Sequence, residues 1–154
     1  MTEMVIRPAR AADLAPLQAL AREVIEVRYT PFLGEAMVAD YVGSGAADAE
    51  VAKHPQHMTV AEKDGHLVGF VVCFDDLAHL LMTRVDQQRS GIGTALIASC
   101  FTQIAARGHK VARVETFTDN TQARRFYRKT GWRESGFGTV DGTDIALVFF
   151  EKTI

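Results

Sequence analysis

Leu81-Met82-Thr83-Arg84-Val85-Asp86-Gln87-Gln88-Arg89-Ser90-Gly91-Ile92-Gly93-Thr94-Ala95-Leu96 passes from an apolar, strand-like run through a polar loop into an apolar helical pattern. The first turn of a helix has N–H groups without intrahelical partners and a partial positive charge. A loop ending there offers several donors at once to an anion. Gly91 and Gly93 allow a tight curl and close approach of a ligand, and Gln88 and Arg89 add side-chain donors at the mouth. Two other phosphate loops are excluded. No lysine follows as in G-x-x-x-x-G-K-[ST], and Leu96 stands where G-x-G-x-x-G has its third glycine. A simple strand-to-helix turn would also account for the two glycines.

Outward from this loop the pattern alternates between periods of two and of 3.6 residues. Residues 59–63, 66–74 and 78–85 read as three strands, turned at Asp64-Gly65 and Asp75-Asp76. Upstream, 5–8 is a short strand, and 11–27 is a helix with Asp13 as its cap, broken at Tyr29-Thr30-Pro31. Shorter helices are expected at 34–42 and 46–53. Downstream, Ile92, Leu96, Cys100 and Ile104 mark the buried face of a helix over 91–107 that Gly108 ends. Strand 111–117, helix 120–130 and strands 132–137 and 144–151 complete the chain. The order predicts an α/β (α+β) class: a mixed sheet with helices on its faces in one domain, 1–154.

Composition narrows the function. The 154 residues carry a formal charge of −2, which argues against a dedicated nucleic-acid binder. No apolar run is long enough to span a membrane, and no secretory leader is evident at the N-terminus. Cys73 and Cys100 make no disulfide framework and no C-x-x-C zinc pair. His54, His57 and His66 are irregularly spaced and read as surface residues, so no metal is expected. The expectation is a reduced, cytoplasmic protein.

A second segment, Asn120-Thr121-Gln122-Ala123-Arg124-Arg125-Phe126-Tyr127-Arg128-Lys129-Thr130-Gly131-Trp132, accompanies the loop. Gln88-x-x-Gly91-x-Gly93 resembles the Q/R-x-x-G-x-G/A signature of the GNAT superfamily of acetyltransferases. The second segment resembles that family's N-x-x-A-x-x-F-Y-x-x-x-G-F, with Trp132 in place of the last phenylalanine. Thr83 and Val85 depart from the valine and proline common in the family. The resemblance is strongest from Ala78 to Trp132.

The resemblance implies a mostly antiparallel sheet of six to seven strands flanked by about four helices, with acetyl-CoA (coenzyme A) as co-substrate. Backbone N–H groups over Arg89, Ser90, Gly91, Ile92, Gly93 and Thr94, together with Gln88, would hold the pyrophosphate. Leu81, Met82 and Thr83 would pair with the pantetheine arm as an added strand. On a helical wheel Asn120 and Tyr127 fall within about 20° of one face, with the small Ala123 between them leaving room for a ligand chain. Asn120 would meet a pantetheine amide, and Tyr127 would hydrogen-bond to or protonate the leaving thiolate. Phe126 would pack in the core. Arg124 and Arg128 are one turn apart and within reach of phosphates.

An acceptor amine must lose a proton. His79, two residues before Leu81 and so expected on its face of the strand, has an ordinary pKa of ~6.5 that suits a base. A strand histidine bonded to a neighbour is the structural alternative; Glu26, Asp75, Asp76 and Glu115 are rivals, as is a water relay. The acceptor cleft would involve Glu26, Tyr29, Phe32 and residues 137–144. Two functions follow. One is N-acetylation of a small-molecule or peptide amine in a ternary complex. The other is a non-catalytic acetyl-CoA sensor that binds a partner protein. Resemblance also implies a homodimer.

Overall fold

The computed structural model describes residues 3–87 and 90–154. Seven strands form one sheet in the order β1-β2-β3-β4-β5-β7-β6. They are β1 (Met4–Pro8), β2 (Met58–Lys63), β3 (His66–Phe74), β4 (Leu77–Thr83), β5 (Val111–Phe117), β6 (Arg133–Thr139) and β7 (Ala146–Thr153). Every neighbouring pair is antiparallel except β4 and β5. The mixed, mostly antiparallel sheet is therefore the expected one. Helices α1 (Leu14–Val24), α2 (Thr30–Leu33), α3 (Glu35–Gly43) and α4 (Ala46–Ala52) precede β2; α5 (Ile92–Ala106) and α6 (Thr121–Lys129) flank β5.

The sheet is covered on both sides, which explains why β3 reads as an almost unbroken apolar run. Val71 and Cys73 face α5 and α6 with Ile92, Leu96, Ile104, Val114 and Phe150. Phe70 and Val72 face α1, α3 and α4 with Leu17, Val24, Val38 and Val51.

The first helix does not stop at Tyr29-Thr30-Pro31. A π turn over Ile25–Tyr29 joins α1 to α2, and the run ends at Gly34, whose φ of 89° leaves the helical region. Pro31 sits in the first turn of α2, where its missing N–H costs no intrahelical bond. Asp13 does not cap forward. Its carboxylate reaches back to the Arg10 N–H at 2.7 Å and takes two bonds from Arg7, at 2.8 and 3.1 Å. The Arg7 hydrogen bonds hold the Asp13 carboxyl below the usual carboxylate range. A lowered folded-state pKa means stability present above the ordinary Asp value of ~3.9 and lost as pH falls through the folded value. Asp13→Asn should therefore be less stable than the parent at pH 6, with the difference shrinking below about pH 4, as read by urea denaturation at each pH.

Candidate functional site

β4 and β5 are paired only at Leu77–Arg113 and Ala78–Val114. Beyond this they part, while β4 stays on β3 through Thr83 and β5 stays on β7 through Phe117. The facing edges of 79–83 and 115–117 therefore keep backbone groups that the sheet does not use. Such an edge accepts an extended chain as an added strand.

α5 begins beside this wedge. Gly91 is its N-cap at φ 81°, a left-handed conformation, and among the described residues no side chain caps the helix. The Ala95 N–H bonds the Gly91 carbonyl at 3.0 Å, so Ile92, Gly93 and Thr94 supply the open N–H groups among the described residues. A Cβ on Gly91 would meet nothing within 4 Å, yet the φ itself resists one. Gly91→Ala should cost about 1–2 kcal/mol of stability from conformation alone, measurable by chemical denaturation. A Cβ on Gly93 would lie 3.5 Å from the Phe126 ring and 3.8 Å from Thr83 Cγ2, ordinary contacts, so packing does not require glycine there. Gln88 and Arg89 lie outside the described residues. The Ser90 hydroxyl is spent within the loop on the Gln87 carbonyl, and Thr94 is exposed.

The β4 residues divide between faces. Leu81 packs toward α5 and Met82 is buried toward α1, so Met82 can meet a ligand only through its backbone. Thr83 Oγ1 accepts from Arg28 Nη1 at 3.2 Å, and Arg28 also donates to the Arg84 carbonyl at 3.4 Å. The π turn brings Arg28 to the start of the loop; helical periodicity gave no sign of it.

On α6, Asn120 lies before the first turn, with ψ 77°, and its Oδ1 caps the helix by accepting the Ala123 N–H at 3.2 Å. The wheel angle linking it to Tyr127 therefore does not hold at that end, although its amide N–H groups remain for another partner. Thr118 Oγ1, just before it, is buried with no partner among the described residues. Phe126, expected in the core, is the less buried of the pair. Tyr127 is 5% exposed and packs on Phe126, Trp132 and Phe150, whereas Phe126 is only partly buried beside Gly93. Tyr127 belongs to the sheet-facing side of α6. Burial, then the nearby Tyr29, pushes its phenol pKa up, with no hydrogen bond contributing. Arg124 and Arg128 both bond Glu134, and Arg124 also holds the Thr118 carbonyl at 2.9 Å, so neither is directed at a phosphate.

His79 does not share the face of Leu81. Val72 pairs with Leu80 and Cys73 with Ala78, so His79 is the extra residue of a β-bulge, which breaks the two-residue alternation. The bulge turns it toward α4. Its Nε2 lies 2.9 Å from Glu50 Oε1 and its Nδ1 3.2 Å from Glu115 Oε1. Only the doubly protonated ring donates to both. The Glu115 bond first, and the Glu50 bond against burial, raise its pKa. Burial would raise the Glu50 carboxyl, but bonds from His79, Lys53 and His54 outweigh it and hold it at about 2. His54, expected at the surface, joins the cluster with 17% of its side chain exposed. Of the rival bases, Asp76 is engaged with Arg113 at 2.8 Å, while Asp75 and Glu26 are exposed. Tyr29, Phe32 and Phe117 pack together at 5.4–5.6 Å between centroids, close to the parted end of β5. Glu50, His54, Phe117 and Arg28 were missed because their roles depend on contacts distant in sequence.

The described residues fit coenzyme A on three structural grounds: an unpaired strand edge, an uncapped helix start, and unspent polar groups at Asn120 and Thr118. A family model described as an acetyltransferase (GNAT) domain matches residues 54–134. No curated protein matches the chain. Solved structures similar to it include a GCN5-related N-acetyltransferase from Rhodopseudomonas palustris, with TM-score 0.85, 24% identity and coverage of 97% of this chain and 95% of the other. The PaiA N-acetyltransferase from Thermoplasma acidophilum, solved in complex with coenzyme A, has TM-score 0.77, 20% identity and 99% coverage of each chain. YjaB from Escherichia coli in its apo form has TM-score 0.82, 19% identity and 97% coverage of each.

Proposed function

The chain belongs to the GNAT acetyltransferase family, and we propose that it transfers an acetyl group from acetyl-CoA to a primary amine of a small molecule or peptide in a ternary complex. The observation that carries this is the parting of β4 and β5 beside the open start of α5. Bound acetyl-CoA supplies the thioester. The N–H groups of Ile92, Gly93 and Thr94, with Gln88, Arg89, Ser90 and Gly91 leading into them, hold the pyrophosphate by hydrogen bonds and the helix dipole. The backbone of Leu81, Met82 and Thr83 pairs with the pantetheine arm, the Asn120 amide meets one of its peptide groups, and Ala123 leaves it room.

Tyr127 donates a hydrogen bond to the sulfur as the C–S bond breaks. His79 acts from its neutral form: Nδ1–H stays on Glu115, and Nε2, once it has given its proton to solvent and left Glu50, receives the proton of the attacking amine. The acceptor approaches from the α1–α4 side, past Tyr29, Phe32 and Phe117. A homodimer through the late strands would cover β6, whose Phe137 is 66% exposed, and sedimentation would detect it.

Thiol release from acetyl-CoA across a broad amine panel tests the reading. Amine-dependent release supports it. Tight acetyl-CoA binding with no release for any amine would overturn it in favour of a sensor that binds a partner protein.

A further inference from the structure

We propose that Glu50, His54 and His79 form a binding site for a divalent ion of the zinc type. Glu50 Oε1 stands 2.9 Å from His79 Nε2 and 3.3 Å from His54 Nε2. All three donor atoms lie within 4.8 Å of one another. Ligands about 2.0–2.1 Å from a tetrahedral zinc ion are about 3.3–3.4 Å apart. Two edges of the triangle are already near that length, and the third is within 4.8 Å. Two imidazoles and one carboxylate, with the remaining position open to solvent, form a donor set suited to zinc. Irregular spacing of the histidines in sequence argued against such a site. The fold removes the objection by setting the bulge of β4 against the end of α4.

The surroundings favour a dication. His79 Nδ1 faces Glu115 Oε1 at 3.2 Å, and a carboxylate on the outer nitrogen fixes the tautomer of a metal-bound ring. Lys53 holds the other oxygen of Glu50 at 3.2 Å, leaving Oε1 to the cluster. With both rings neutral, Glu50 and Glu115 less the Lys53 ammonium on Glu50 leave a net negative charge that attracts a cation. The side chains are 17–27% exposed, so the ion can enter. Entry forms the metal–Nε2 bond and releases to solvent the proton lying between His79 and Glu50. The ion therefore competes for the atom assigned above to receive the acceptor's proton, and occupancy should stop turnover. That consequence rests on the proposed function; binding does not.

The test is equilibrium dialysis of metal-free protein against Zn2+, with Co2+ absorption reporting the ligands, in the absence of acetyl-CoA. One equivalent should bind. Glu115→Gln should weaken binding about 10–100-fold, and His54→Ala and His79→Ala should weaken it more. His54→Gln, checked for an unchanged melting transition without metal, guards against misfolding. Failure of folded wild-type protein to bind one equivalent would overturn the proposal. So would unchanged binding in the His54 variants, which would place the ion elsewhere, for instance at the thiols. Because neither readout needs turnover, a missing transferase activity would leave this result intact.

Discussion

Tyr127→Phe is expected to lower kcat about 10²–10³-fold, the usual cost of removing one donor aimed at developing charge, while acetyl-CoA affinity stays near the wild-type value. The phenol cannot readily act as a full acid. Alkyl thiols have a pKa of ~8.5 against ~10 for an ordinary tyrosine, and burial moves Tyr127 higher still. Complete transfer of its proton to the thiolate is therefore uphill, and the raised pKa favours hydrogen-bond donation over protonation. Stability should behave differently. Tyr127 is 5% exposed, and no hydrogen bond contributes to the state of its phenol. Phenylalanine keeps the ring and its contacts with Phe126, Trp132 and Phe150, so losing the hydroxyl should cost little stability. The informative result is thus a collapse in thiol release with a nearly unchanged melting temperature. A lower melting temperature with intact turnover would make Tyr127 a packing residue and remove it from the mechanism.

The sequence was most informative where local chemistry decides structure. The glycines at 65, 91, 108 and 131 all adopt positive φ at the turns and helix ends where they were expected. Period-two and period-3.6 patterns located every strand and the two helices of the second half. It was least informative where one inserted residue changes a phase. The bulge at His79 reverses the face of that side chain without any change in the apolar run around it. The π turn at 25–29 carries the first helix past Pro31, which reads as a stop. The Phe126-Tyr127 pair shows the third kind of limit. Adjacent positions on a helix point about 100° apart, but which one faces the sheet depends on how α6 docks against Trp132 and Phe150. The loop motif and the Asn120–Tyr127 segment named the elements of the site. The carboxylate–histidine cluster came only from α4 meeting β4 across the sheet face.

Gly69→Ala is expected to destabilise the protein by about 1–3 kcal/mol, the range for forcing a methyl group into a packed core. At roughly 2–4 °C of melting temperature per kcal/mol for a chain of this size, the loss should be plain in a thermal scan. The new Cβ would lie 2.9 Å from Ile92 Cγ2, 2.9 Å from the Met82 carbonyl oxygen and 3.0 Å from Leu96 Cδ1. None of these can easily yield. The Met82 carbonyl belongs to β4, which is paired with β3, and Ile92 and Leu96 are fully buried. Gly69 is therefore what lets the first turns of α5 lie close against the sheet. The strain should reach the proposed cofactor site, since Ile92 opens the anion-facing turn and Met82 lies on the wedge strand. Acetyl-CoA affinity should fall along with stability, by calorimetric titration of the folded variant. Gly93→Ala is the control within the same turn, because its Cβ meets only ordinary contacts and should leave stability unchanged. Equal losses in both variants would show that α5 tolerates no added bulk at its start, and would remove Gly69 as the element that sets the helix against β4.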